Sequence, residues 1–192
     1  MKTVRTLIAG LLVPGLGFII ALALAAGVVQ AQNSELARGA ELLAPFKRDL
    51  QEALLQGLAE GPAQAIGACH VRAPEVASAL SSDGIIVGRS SHRLRNPTNA
   101  SPKWVAPVLE AYTSSSGDRE PRVVPLPNDR LGYVEPILLK PLCLTCHGES
   151  LAPDVAARIN ELYPEDRAVG YEIDDLRGVF WIEYPAKDFR PN

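Results

Sequence analysis

The stretch KPLCLTCHGES, residues 140–150, sets two cysteines and a histidine at Cys143, Cys146 and His147. The spacing has a chemical reason. Two thiols separated by two residues sit on one short turn, from which both can reach the two vinyl groups of a porphyrin and form thioethers. A histidine directly after the second thiol then falls under the iron. Cys143 and Cys146 are therefore expected to hold one covalent haem c, with His147 as the proximal iron ligand. The same residues admit two other readings. A thioredoxin-like redox pair should open a helix after a strand within a βαβ unit, and no such unit surrounds the motif. A zinc site needs four ligands, which this chain supplies only by borrowing Cys69 or another histidine.

Outward from the motif, the pattern is mixed. LGYVEPILLK (131–140) reads as a strand running straight into it, and RVVPLP (122–127) as the strand before that one. IIVGR (85–89), after the turn SSDG, and LRGVFWIEYP (176–185) read as two more strands. Helical spacing covers residues 33–61 with a cap at Asn33 or Ser34 and a kink at Pro45. A second helix opens at Gly61-Pro62 and is interrupted at Pro74; shorter helices fall near residues 104–112 and over 152–163. Strands that come singly or in hairpins predict an α+β fold with an antiparallel sheet, preceded by an N-terminal helical segment. Ordinary cytochrome c is small and all-helical, and this chain is neither.

The N-terminus carries Lys2 and Arg5 and then no charge over residues 6–34, with Val29-Gln30-Ala31 as a small-residue cleavage site. Residues 1–31 read as a signal peptide or, because about 20 apolar residues span a bilayer, as an uncleaved membrane anchor. Both readings export residues 32–192 as a single domain, periplasmic in a bacterium, with the membrane involved only through that segment. Export agrees with haem attachment, which for c-type proteins follows translocation. Losing Lys2 and Arg5 leaves two fewer basic groups than the chain's 19 against the same 22 acids. That acidic balance argues against a nucleic-acid partner.

Three cysteines leave one over. Cys69, in AIGACHVRAPEVASAL (65–80), is either a buried small hydrophobe or a thiolate for the iron. The one methionine is Met1, so the common His/Met ligation is closed to the exported chain. Opposite His147 that leaves Cys69, His70, His92, a weaker ligand or an open site. Cys69 and His70 are about 100° apart on a helix, so at most one faces the iron. Ile66 and Ala73 share the face of Cys69, which leans towards the cysteine without deciding it.

Four stretches carry a resemblance: AIGACHVRAPEVA, IIVGRSSHRLRNPTNASPKW, EPILLKPLCLTCHG and LYPEDRAVGYEIDDLRGVFWIEYP, in this order across nearly all of residues 35–185. The first and third are the informative ones. Together they resemble the PAS-like c-type haem domain family typified by a cyanobacterial haem protein, long catalogued as a domain of unknown function. The resemblance implies a PAS-like antiparallel sheet with flanking helices. By position, it also implies iron ligation by His147 on one face and Cys69 on the other. Two departures stand out: His92 replaces a non-coordinating residue, and Asp174 stands where glycine is usual.

A thiolate ligand pushes electron density onto iron and favours the ferric state. Loss of that ligand on reduction would open a site for a small gas. The expected function is a redox or small-gas sensor module working through a separate signalling protein. The alternative is a low-potential periplasmic electron carrier with a redox partner protein, and a haem enzyme with a labile distal site ranks third. No Ser/His/Asp or paired-carboxylate arrangement points to hydrolysis, so no catalytic residue is assigned. Arg89, Arg93 and Arg95 are candidate haem-propionate partners. Trp104, Trp181, Tyr133 and Tyr171 read as packing, and Glu161, Glu165 and Asp166 as surface acids.

Overall fold

The computed structural model describes residues 15–114 and 119–186. The chain falls into two compact units with the boundary between Ser34 and Glu35. Residues 1–14, which hold the basic start of the expected export segment, lie outside the described residues. Among the described residues no helix is long and apolar enough to cross a membrane.

The body is α+β. Its elements in chain order are α1 (Gly15–Glu60), α2 (Pro62–Leu80), β1 (Ile86–Ser90), α3 (Ala106–Ser114), β2 (Arg122–Leu126), β3 (Arg130–Leu138), α4 (Leu144–His147), α5 (Pro153–Leu162) and β4 (Leu176–Pro185). The four strands form one sheet in the order β1-β4-β3-β2, antiparallel throughout. β2 and β3 are a hairpin whose tight turn places Asn128 and Asp129 at positive φ, 59° and 52°. Such conformations suit Asn and Asp better than bulkier residues.

Two expectations for the leading helices are overturned. No helix starts at Asn33 or Ser34, because α1 runs through them without a break. Pro74 does not interrupt α2, which continues from Pro62 to Leu80. A proline removes one backbone donor and crowds the preceding turn. Here the packing of Ala73 and Val76 on either side, both buried, holds the helix together.

The strands alternate between two cores, as a sheet covered on both faces requires. On one face, Leu43 and Phe46 of α1 and Val76 of α2 pack on Val87, Tyr133, Ile182 and Tyr184. On the other, Val108, Leu109 and Tyr112 of α3 pack on Val134, Leu176 and Val179, with Trp104 and Trp181 edge to face at 5.9 Å. Two strand glycines make room for those indoles. A Cβ at Gly132 would collide with the ring of Trp104, and one at Gly88 with that of Trp181. Trp104, Trp181, Tyr133 and Tyr171 are thus packing residues. Two smaller clusters flank the cysteine motif: Ile66, Val155, Ile159 and Tyr163 beside Cys146, and Leu139, Ala168 and Tyr171 beside Cys143.

Candidate functional site

The motif forms because β3 ends into a proline. Pro141 opens a single 3-10 turn, Pro141–Cys143, which passes directly into α4. The Cys143 N–H donates to the Lys140 carbonyl (2.8 Å), and the Gly148 N–H to that of Leu144 (3.0 Å). After the turn the chain is laced to a later segment: Tyr171 N–H donates to the His147 carbonyl (3.0 Å) and Gly170 N–H to that of Gly148 (2.9 Å). The motif is held from both sides.

His147 has a fixed tautomer. Its Nδ1 lies 2.7 Å from the carbonyl oxygen of Ala168. A carbonyl only accepts, so Nδ1 carries the proton and Nε2 is the acceptor nitrogen, facing Arg177 Nε at 3.5 Å. Burial first, then the charges of Arg177 and Arg95, push this ring's pKa down to about 2, against the opposing pull of the Ala168 carbonyl. His147 is therefore neutral, with Nε2 unprotonated, the form in which imidazole binds a metal.

One cavity gathers the four residues singled out from the sequence. Cys69, Cys143, Cys146 and His147 all line it, and its volume is about 250 Å³. That is close to the lower end of the range of about 300–1,000 Å³ usual for small-molecule sites. The walls are mostly apolar: Leu54 and Leu58 from α1, Ile66 from α2, Ile137 from β3 and Phe180 from β4. Among the described residues no three of His, Cys, Asp and Glu converge tightly enough to hold a bare metal ion.

The other histidines lie elsewhere. His70 lines a second, smaller cavity that Cys69 also borders, and it stacks edge to face with Tyr163 at 5.0 Å. His92 is exposed, outside both cavities, its ring edge to face with Tyr171 at 6.2 Å. Burial raises the Cys69 thiol pKa, with Arg89 and then Arg95 opposing.

The arginines divide by role. Arg93 stacks over Tyr171 (4.2 Å) and donates to the carbonyls of Arg167, Val169 and Gly170, tying a loop away from the cavity. Arg95 lines the cavity but is committed to Asp166 through two 3.2 Å bonds. Arg89 and Arg177 line the cavity, and among the described residues neither forms an ion pair. Arg177 Nε points at His147 Nε2 from 3.5 Å. Three site residues escape a reading by motif: Arg177, Tyr163 and Asp166. Asp166 is corrected from surface acid to buried partner, its side chain 6% exposed.

The sequence matches the Tll0287-like family over residues 19–185. The chain belongs to the Tll0287-like family. A solved structure, the crystal structure of the cyanobacterial heme-protein Tll0287, shares the fold with a TM-score of 0.52. The likeness covers 79% of this chain and 98% of that one at 22% identity. No curated protein matches the chain. The Tll0287-like region takes in both leading helices from residue 19, all four strands and every residue of the cavity.

Proposed function

We propose that this chain is an exported monohaem protein of c type, with haem held by thioethers to Cys143 and Cys146. In this reading His147 and Cys69 would be the residues that hold the iron. The observation that carries it is the meeting of these four side chains on one largely apolar cavity. The haem character of Tll0287 supports it. So does the protonated Nδ1 of His147, which leaves the other ring nitrogen for iron. Cys69 is preferred to His70 and His92 because it alone of the three lines that cavity. Arg89 and Arg177, facing the cavity without acidic partners, would receive the two propionates. Bound here, haem would supply one-electron chemistry and a coordination site governed by oxidation state.

The role is a redox or small-gas sensor: Cys69 would hold the oxidised iron more strongly than the reduced one, and the signal would pass to a separate protein. The PAS-like reading of the sheet belongs to this proposal. Electron carriage is the second reading, favoured by Leu142. This residue lines the cavity beside Cys143 yet is 51% exposed, an apolar edge through which a redox partner could approach. No enzymatic role is proposed. The test is the optical and EPR spectrum of the ferric protein beside Cys69→Ala, before and after dithionite. A low-spin thiolate signature absent from the variant supports the ligation, and its loss on reduction favours sensing over carriage. Identical spectra overturn Cys69 ligation, and a protein without haem after expression with maturation machinery overturns the whole.

A further inference from the structure

The carbonyl that fixes His147 is itself shared. Ala168 O accepts from His147 Nδ1 at 2.7 Å and from Arg95 Nη2 at 3.2 Å. The same Nη2 donates to the carbonyl of Cys146 at 2.6 Å, one residue before the histidine. Asp166 closes the circuit. It takes Arg95 in the two-pronged pair described above, and its Oδ1 also accepts the Ala168 N–H at 2.8 Å. Arg95 and Asp166 are 12% and 6% exposed, so the network is screened from solvent. Arg95 thus grips the backbone on both sides of His147 without touching the ring.

We infer that Arg95, held by Asp166, is a positioning residue that sets the donor strength of His147 towards iron and so the reduction potential. The inference rests on the haem reading above. A ligating histidine becomes more electron-rich as the hydrogen bond from its other nitrogen strengthens, which favours the ferric state. A carbonyl shared between two donors binds each less strongly than one donor alone. Arg95 therefore weakens the His147–Ala168 bond, holds the imidazole nearer neutral, and raises the potential. Charge alone would act in the same direction. What separates the two is geometry, because a single ammonium cannot reproduce the planar fork that reaches Asp166 and two carbonyls together.

The experiment measures midpoint potential and ferric EPR g values in haem-loaded wild type, Arg95→Gln, Arg95→Lys and Asp166→Asn, with haem stain on denaturing gels as the loading check. Expected are negative potential shifts in Arg95→Gln and Arg95→Lys with changed g values. Asp166→Asn should shift positively, since its arginine is then free to draw more on Ala168. Wild-type potential and g values in Arg95→Lys overturn the hydrogen-bond role and leave only charge. An unchanged potential in Arg95→Gln overturns the inference altogether. Should the Arg95 variants fail to accumulate, Asp166→Asn is judged by its g values as well as its potential, because losing a carboxylate raises the potential by charge alone. Wild-type g values there, or no positive shift, overturn the inference. A wild type without covalent haem is a different failure: it removes the haem reading and is seen on the gel before any potential is measured.

Discussion

Leu139 and Asp174 hold each other across the approach to the cysteine motif: the Asp174 N–H donates to the Leu139 carbonyl at 2.9 Å. Leu139 is almost fully buried, and the next residue, Lys140, reaches the Asp174 carboxylate at 2.9 Å. Asp174 adopts φ 64°, the left-handed region that glycine enters freely. A glycine at this position would take up that conformation without strain. Asp174→Gly should leave stability within about 1 kcal/mol, since relief of backbone strain offsets loss of an ion pair that is well exposed. Asp174→Ala should lose about 1–2 kcal/mol. Urea denaturation of the three proteins checks both values.

Thioether attachment predicts a stepwise loss. Cys143→Ser or Cys146→Ser alone should keep haem on a denaturing gel at reduced yield, through one remaining bond. The double variant should keep none, although it still binds haem under native conditions. Haem stain persisting in the double variant would place the attachment on another residue.

In that double-serine background haem binding becomes a reversible equilibrium. Arg89→Gln and Arg177→Gln should each weaken it about tenfold, the effect of one lost charged hydrogen bond. Arg93→Gln should leave it unchanged, because Arg93 is spent on carbonyls and on the face of Tyr171. Haem titration followed by absorbance reads all three.

Two buried tyrosines predict alkaline lability. Burial, then the Glu35 carboxylate, push the Tyr184 hydroxyl up to about 12, against Arg38. Burial also raises Tyr133, reinforced by Glu135, to which it donates at 2.9 Å. An unfolded tyrosine ionises near 10. Above about pH 10 the unfolded chain therefore loses protons that the folded chain retains, and stability falls as pH rises. Below that pH the contribution is complete. The slope should approach about 1.4 kcal/mol per pH unit for each tyrosine between pH 10 and 12, and Tyr184→Phe should flatten it. Urea midpoints at pH 8, 10 and 11 measure it.

What could be read from the chain and what could not follow one physical line. The four strands declared themselves locally, through apolar alternation and through turn residues such as Asp83-Gly84. The motif did the same, because its chemistry is contained in five consecutive residues. Asn33 and Ser34 look like a cap, yet a long helix can absorb such residues, as α1 does. Asp166 looked like a surface acid because its partner, Arg95, is 71 residues away. Arg177 and Tyr163 had no local signal at all. Their place on the cavity depends on how β4 and the end of α5 pack, which no short window contains.

The order of the sheet bears on how the protein is made. β4, the last of the four strands in the chain, lies between β1 and β3, with Ile86 opposite Glu183 and Leu131 opposite Tyr184. A nascent chain that has reached only residue 170 therefore owns a hairpin and a lone strand that cannot meet. It presents open edges to any neighbouring polypeptide until the final segment arrives. Closing contacts about a hundred residues apart is slow compared with forming helices. A chain exported before β4 is in place would need protection in transit, and truncation anywhere before residue 176 should yield an aggregating product rather than a smaller domain.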